Sequence, residues 1–491
     1  MPMLIRTRIA GPLAAAALML GAGCDKPETG PVVVSAIGGA PRLVNPNLTL
    51  LDPASAFLLT ATAQGLVRFD PGGQIEPALA QSWTVTDDGL SYIFRIGRLQ
   101  WSNGQPVTTE QVAARLRAAG SRASRNELKP LLGAVHEIRA MTERVIEIRL
   151  KAPRPNFLQL LAQPEMAIVR DEEGTGPYVA EDMGGGAVRL RPRPSRDDED
   201  APPESSTGSE LILRGEAPAL AVARFARGLA ALVIGGTAGD LPVARAADPP
   251  GAALRFDPVS GLFGLAFARP AGWLEPPEAR RALSMAIDRA ALVAAIGVPD
   301  LAPRASLLPR GIAELPAPAL PAWAGDPLPA RRAAAAAIIR NLADGGEPPT
   351  VRVAMPDLPG YRLLFAHLRR DWRAIGVEAE RVGPGERADL ALVDESAPAG
   401  MASWYLRHFT CERKRICSSD ADAMLEAART TLSMAERRQF LANADRLLTE
   451  AVPFIPLAAP VRWSLVSPRL TGFRTNPSGR HFAGALVAAQ P

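Results

Sequence analysis

Four histidines, at positions 136, 367, 408 and 481, are all that the 491-residue chain offers for proton transfer near neutral pH, and none stands beside another in sequence. His136-Glu137 opens a zinc-protease pattern, but Ala140 occupies the place of the second histidine. His367 sits on a helical pattern between Leu364 and Leu368, where packing is the simpler role. No G-x-S-x-G elbow, S-x-x-K pair or G-x-x-x-x-G-K-[ST] loop occurs, and the runs Gly184-Gly185-Gly186 and Gly235-Gly236 lack the lysine of a phosphate cradle. These residue types point away from acid–base, acyl-transfer and nucleotide chemistry. The expectation is a protein that binds without making bonds, with no cofactor and no metal.

Cysteines carry the other possible chemistry. Cys411 and Cys417 lie in "CERKRIC", and in an exported protein two thiols this close predict a disulfide closing a small loop. A metal held there with His408 would put Arg413, Lys414 and Arg415 beside a cation, which argues against it. The third, Cys24, follows a leader-like segment. Arg6 and Arg8 precede an apolar run from Ala10 to Ala22, too short to span a bilayer but suited to the core of a signal peptide. Gly21-Ala22-Gly23-Cys24 resembles a bacterial lipoprotein box, in which the cysteine becomes the acylated first residue. Leu20 stands four positions before Cys24 where three is usual, so a plain secretory leader is the alternative. The reading is a signal peptide over 1–23, a tether over 24–30, and a periplasmic protein held to the membrane by lipidated Cys24.

The charge balance excludes one partner class. With 55 basic against 51 acidic residues the formal charge is only +4, so no field argues for nucleic acid. At 47% hydrophobic and 22% charged the chain is ordinary globular protein with room for two or three cores.

Period-2 and period-3.6 patterns arrange the rest. "VVVSAIGG" predicts a buried strand, and 55–65 a helix. Between Val85 and Thr108 the turn Asp87-Asp88-Gly89, the alternation Tyr92, Phe94, Ile96 and the turn Asn103-Gly104 predict hairpins, and Thr108 with Gln111 a capping box opening a helix. "HEIRAMTERVIEIRL" adds two strands around Thr142. Trp83 and Trp101 are expected to cement that sheet. Past the proline- and charge-rich loop 191–208, strands and helices alternate, with one amphipathic helix expected over 278–296 and a helical pair over 420–452 broken near Ser433. Two alternating blocks imply two α/β lobes, with a smaller hairpin-rich block as a third unit.

The run "QGLVRFDPGGQIEPALAQSWTVTDDGLSYIFRIGRLQWSNGQPVTTEQV" resembles the signature block of bacterial extracellular solute-binding proteins of the peptide/nickel type, family 5, which serve ABC importers. "GTGPYV", "ARRALSMAIDRAALVAAI", "LLFAHLRRDWRAIGVEAE" and "VPFIPLAAPVRWSLVSPRLTGFRTNPSGRH" follow in the family's order. The resemblance implies an α/β, two-lobed fold of the periplasmic-binding-protein type II class with an extra hairpin-rich subdomain. Lobe I would comprise 31–66, 172–256 and 453–491, the inserted subdomain 67–171, and lobe II 257–452. It also implies a monomer that takes a peptide or other small solute between the lobes and docks on permease subunits.

The family's peptide carriers hold the ligand's amino group with an aspartate in a W-x-x-D-like segment. Here that segment matches "ADLALVDESAPAGMASWYLRHF", where the aspartate role falls on Pro398 or Asp394 according to register, and Ala391 replaces the tryptophan. Either Asp394 or Glu395, with Ser396 beside them, serves from the strand end, or the ligand has no free amino terminus. Trp404 stacks on the ligand or packs the lobe. Leu43 and Asn45, after the first strand, and Leu262 and Phe263, near the lobe crossover, are wall residues by family position. Two rivals remain: a surface scaffold or sensor that kept the two-lobed shape but lost peptide binding, and a secreted hydrolase.

Overall fold

The computed structural model describes residues 30–101, 103–170, 173–193, 209–268, 272–343, 349–413 and 416–488. The leader and Cys24 lie outside them. Among the described residues no helix is long and apolar enough to cross a membrane.

The first lobe is built on a seven-stranded sheet. Its centre is the strand Val32–Ile37, apolar but for Ser35, which pairs in parallel with Leu211–Glu216 on one side and Leu232–Thr237 on the other. Strands flanked by helices on both faces lose the in–out alternation and read as near-continuous hydrophobic runs, as Val32–Ile37 does. Antiparallel strands complete the edges: Ala187–Pro192 and Tyr178–Gly184 on one side, Arg462–Val466 and Leu254–Asp257 on the other.

The second lobe has a five-stranded sheet in the order Glu378–Val382, Thr350–Ala354, Leu390–Ser396, Gly261–Phe267, Phe454–Ala458. The first three run parallel and the last two antiparallel. The boundary expected at 453 therefore falls later. Phe454–Ala458 pairs with Gly261–Phe267 in the second lobe, and only Arg462–Val466 returns to the first. Phe454–Ala458 is wholly apolar and Arg462–Val466 is buried from Trp463 onward, with Pro460 between them, and burial on both faces looks the same in either sheet. The lobes are thus joined by two short crossings, 258–260 and 459–461.

The inserted subdomain carries a four-stranded antiparallel sheet in the order Ala80–Val85, Ser91–Ile96, Val145–Leu150, Val135–Thr142. Tyr92, Phe94 and Ile96 face its core while Ile93 faces solvent, the alternation of a sheet wet on one side. Trp101 is buried, and its Nε1 donates to Gln111 Oε1 at 3.0 Å. The same Gln111 closes the capping box with Thr108 over helix Thr109–Ala119. Trp83 packs half-buried against this core, so both tryptophans are structural.

The helix expected over 278–296 is two, Pro277–Ala286 and Arg289–Ile296. Asp288 causes the break: its side chain accepts from Ala291 N and caps the second helix, while its own N–H donates to Asp371 Oδ2 at 2.8 Å. Ser419–Thr430 and Met434–Ala451 form the later pair, with Ser433 capping the second.

Candidate functional site

Strand Leu390–Ser396 decides which side chains look where. It pairs with Gly261–Phe267 so that Leu262 faces Glu395 and Phe263 faces Asp394. Neighbours on a strand point to opposite faces, so Asp394 and Glu395 serve different environments.

Asp394 turns toward the junction of the lobes. Its Oδ1 accepts from Arg462 Nη1 at 2.6 Å, its Oδ2 from the Tyr361 hydroxyl at 2.7 Å, and its carbonyl from Arg462 Nη2 at 2.9 Å. Burial together with the Asp394 charge pushes the Tyr361 phenol far above its ordinary range. With its side chain only 8% exposed and both oxygens engaged, Asp394 is a lobe-to-lobe fastener rather than a ligand anchor. Leu262 and Phe263 are 0% and 1% exposed and belong to two different hydrophobic cores, so neither is a cleft wall. Leu43 packs half-buried between two cores of the first lobe. Asn45 caps a turn, its Oδ1 accepting from Asn47 N at 3.0 Å and its carbonyl from Leu48 N at 2.9 Å.

Glu395 emerges on the other face, its side chain 55% exposed and paired with His408 Nε2 at 2.8 Å. His408 Nδ1 meets the Trp404 carbonyl at 2.8 Å, and the two rings pack edge-on with centroids 4.5 Å apart. Trp404 also packs half-buried against the cores of the subdomain and of the second lobe.

Residues from three other parts of the chain bring charge to the same region. Glu165, in the turn Pro164–Met166 where the subdomain returns to the first lobe, binds Arg480 of the C-terminal tail through Oε1 at 2.9 Å. Its other oxygen, Oε2, is buried with no hydrogen-bond partner among the described residues, and so is Ser396 Oγ. Asn126 holds this junction together, donating to the Glu165 carbonyl at 2.7 Å and to Asn47 Oδ1 at 2.8 Å. The next residue, Glu127, is open to water yet crowded by protein, as a cleft wall is. Burial raises its pKa first, and the charges of Glu165 and Glu395 raise it further, with Arg480 pulling the other way. Glu127 and Glu165 of the subdomain and Glu395 of the second lobe thus bring three carboxylates to one region against the single guanidinium of Arg480 from the first lobe. Such a site is poised for a cation carrying N–H donors.

No three His, Cys, Asp or Glu side chains converge at metal-binding distance among the described residues. One grouping mimics a hydrolytic triad: His481 Nε2 faces both Asp257 Oδ2 at 3.1 Å and Ser464 Oγ at 3.5 Å. A triad needs the acid and the nucleophile on opposite ring nitrogens, whereas here both use one, and Ser464 is buried in the middle of a strand. Cys411 and Cys417 are bonded, with Cα atoms 5.0 Å apart.

Glu127, Glu165, Arg480 and the pairing of His408 with Glu395 escape sequence reasoning. Charged residues in "RNELKP", "QPEMA" and "PSGRH" read as solvated loops, and only folding brings them together.

Two α/β lobes joined by paired crossings, with an acidic cluster where lobes and subdomain meet, have the architecture of a clamshell binding protein. The model of the family described as bacterial extracellular solute-binding proteins, family 5 Middle, matches residues 74–408, and the chain belongs to that family. It is similar to the nickel-binding periplasmic protein of Escherichia coli K12, 27% identical over 155 residues covering 28% of this chain and 29% of the relative. The glutathione-binding protein GsiB of the same strain is 29% identical over 155 residues, 28% of this chain and 30% of that protein. These alignments span less than a third of either relative's length. In fold the chain resembles Haemophilus influenzae OppA in complex with RPPGFSPFR, with a TM-score of 0.80 at 16% identity over 94% of this chain and 99% of that one.

Proposed function

We propose that the protein is an extracytoplasmic receptor that closes its lobes over a solute bearing a protonated amine, peptide or peptide-like, and delivers it to the permease of an ABC importer. The unsatisfied oxygen of Glu165, a residue whose charge acts together with that of Glu395 on Glu127, carries this reading: a buried carboxylate oxygen lacking a partner is costly, and an ammonium group supplies the missing donors. Family membership and the clamshell fold support the transport role, and the nickel- and glutathione-binding relatives show that related proteins take different cargo. Acylation of Cys24 would hold the receptor at the membrane as a monomer beside its permease.

Native mass spectrometry of protein purified from its own periplasm tests the reading, because trapped cargo appears as added mass. A protonatable amine in that cargo supports it; cargo consistently lacking one sinks it. The scaffold reading gains one observation, the commitment of Asp394 to Arg462 and Tyr361. It predicts no solute-dependent rise in Tm, whereas a receptor at a hundredfold excess of solute over Kd gains about 2.7 kcal/mol.

A further inference from the structure

A second contact between the inserted subdomain and the second lobe carries the opposite charge. Arg154 of the subdomain and Arg407, Arg429 and Arg437 of the second lobe, with Phe157 and Met401, line a cavity of about 30 Å³. That is room for one or two waters or a single small ion. Two of these guanidiniums have carboxylate partners, Arg437 with Glu314 at 2.9 Å and Arg429 with Glu426. Among the described residues the other two donate only to backbone oxygens, with Glu314 acting on Arg154, and Glu426 and Asp422 on Arg407, from farther off. Arg154 donates to the Pro153 and Arg429 carbonyls at 2.7 and 2.8 Å, and Arg407 to the Leu425 carbonyl at 3.3 Å. Burial and mutual repulsion lower Arg154 to about 10 and move Arg407 down as well. Arginine still keeps its proton at physiological pH, so the site holds excess positive charge that proton loss does not relieve.

We propose that this cavity binds one small monovalent anion, a halide or a carboxylate no larger than formate, between Arg154 and Arg407. Because one guanidinium comes from the subdomain and the other from the second lobe, the anion fastens the two together. The site is complete only while these units touch, so the anion favours the arrangement in which they do, and by linkage anything that closes the lobes tightens the anion.

The mature chain, dialysed into sodium gluconate, is titrated with chloride or formate at constant ionic strength while Tm is followed. A saturable rise on the order of a few degrees is expected with chloride or formate and not with gluconate. The more effective anion identifies the one held. Arg154→Gln removes the rise, whatever the lost bond to the Arg429 carbonyl does to Tm in gluconate. Bromide in place of chloride should give an anomalous scattering peak between Arg154 and Arg407. No saturable rise, the same rise in R154Q, or an empty cavity in the bromide crystal overturns the proposal. None of these readouts uses the transported solute, so their failure leaves the receptor reading untouched.

Discussion

Arg462 grips Asp394 across the junction of the lobes, with one N–H on the carboxylate at 2.6 Å and another on the carbonyl at 2.9 Å. Arg462 opens the strand that follows the 459–461 crossing, and Asp394 pairs with Phe263, shortly after the 258–260 crossing. Tyr361 completes the fastener from helix Pro359–Arg373, whose Gly360 N donates to the Gly239 carbonyl of the first lobe at 2.9 Å. A Cβ on Gly360 would lie 2.0 Å from the Ala238 carbonyl oxygen, so only glycine permits this approach.

Removing one partner of such a pair strands the other. Arg462→Ala should cost about 3 kcal/mol in denaturant unfolding, because it leaves the nearly enclosed Asp394 carboxyl without its guanidinium partner. Tyr361→Phe removes a single hydrogen bond to the carboxylate and should cost about 2 kcal/mol. A loss below about 1 kcal/mol in R462A would show that water or another cation replaces the guanidinium.

Glu395 should behave in the opposite way. Its side chain is 55% exposed, so Glu395→Gln leaves Tm close to wild type. Affinity for an amine-bearing solute, read by calorimetry, should fall by about tenfold or more, the worth of one hydrogen bond to a charged group. If affinity is unchanged, the ammonium sits elsewhere.

Asp445 makes stability depend on pH. Burial raises its pKa to about 6, against only one relieving hydrogen bond, from Ala319 N at 2.7 Å. In the unfolded chain the group ionises near the ordinary aspartate value, about 4. Between roughly pH 4 and 6 the folded protein therefore holds a proton that the unfolded chain has released, and stability falls as pH rises through that window. Asp445→Asn should match wild type near pH 4 and exceed it by up to about 3 kcal/mol at pH 7 in urea unfolding. A constant difference at both pH values would mean that Asp445 ionises normally.

The Cys411–Cys417 bond closes a short loop beside helix Ser419–Thr430, where Cys411 N donates to Asp422 Oδ2 at 3.0 Å. Chain entropy alone assigns a loop this small about 2 kcal/mol. Reduction should lower Tm accordingly, and the double variant Cys411→Ser, Cys417→Ser should show the same Tm with or without reductant.

Much of the architecture is written in local patterns. The hairpins around Asp87-Asp88-Gly89, the Thr108 capping box and the break at Ser433 each depend on a few adjacent residues, so they can be read directly. The site is another matter. Asp394 and Glu395 are equally acidic neighbours in sequence, and only pairing with Gly261–Phe267 turns one toward Arg462 and the other toward His408. Leu262 and Phe263 lie next to the crossover in sequence, yet each faces a core.

Hydrophobic periodicity by itself determined the two α/β blocks and the hairpin unit, because burying a face of a helix or strand is a requirement each segment meets with its own residues. The family signature added the clamshell. The tertiary structure alone decided that Phe454–Ala458 joins the second lobe, and that the charges of Glu165, Glu395 and Arg480 act on Glu127. Electrostatic interaction depends on separation in space, and residues hundreds of positions apart acquire that separation only when the chain is folded.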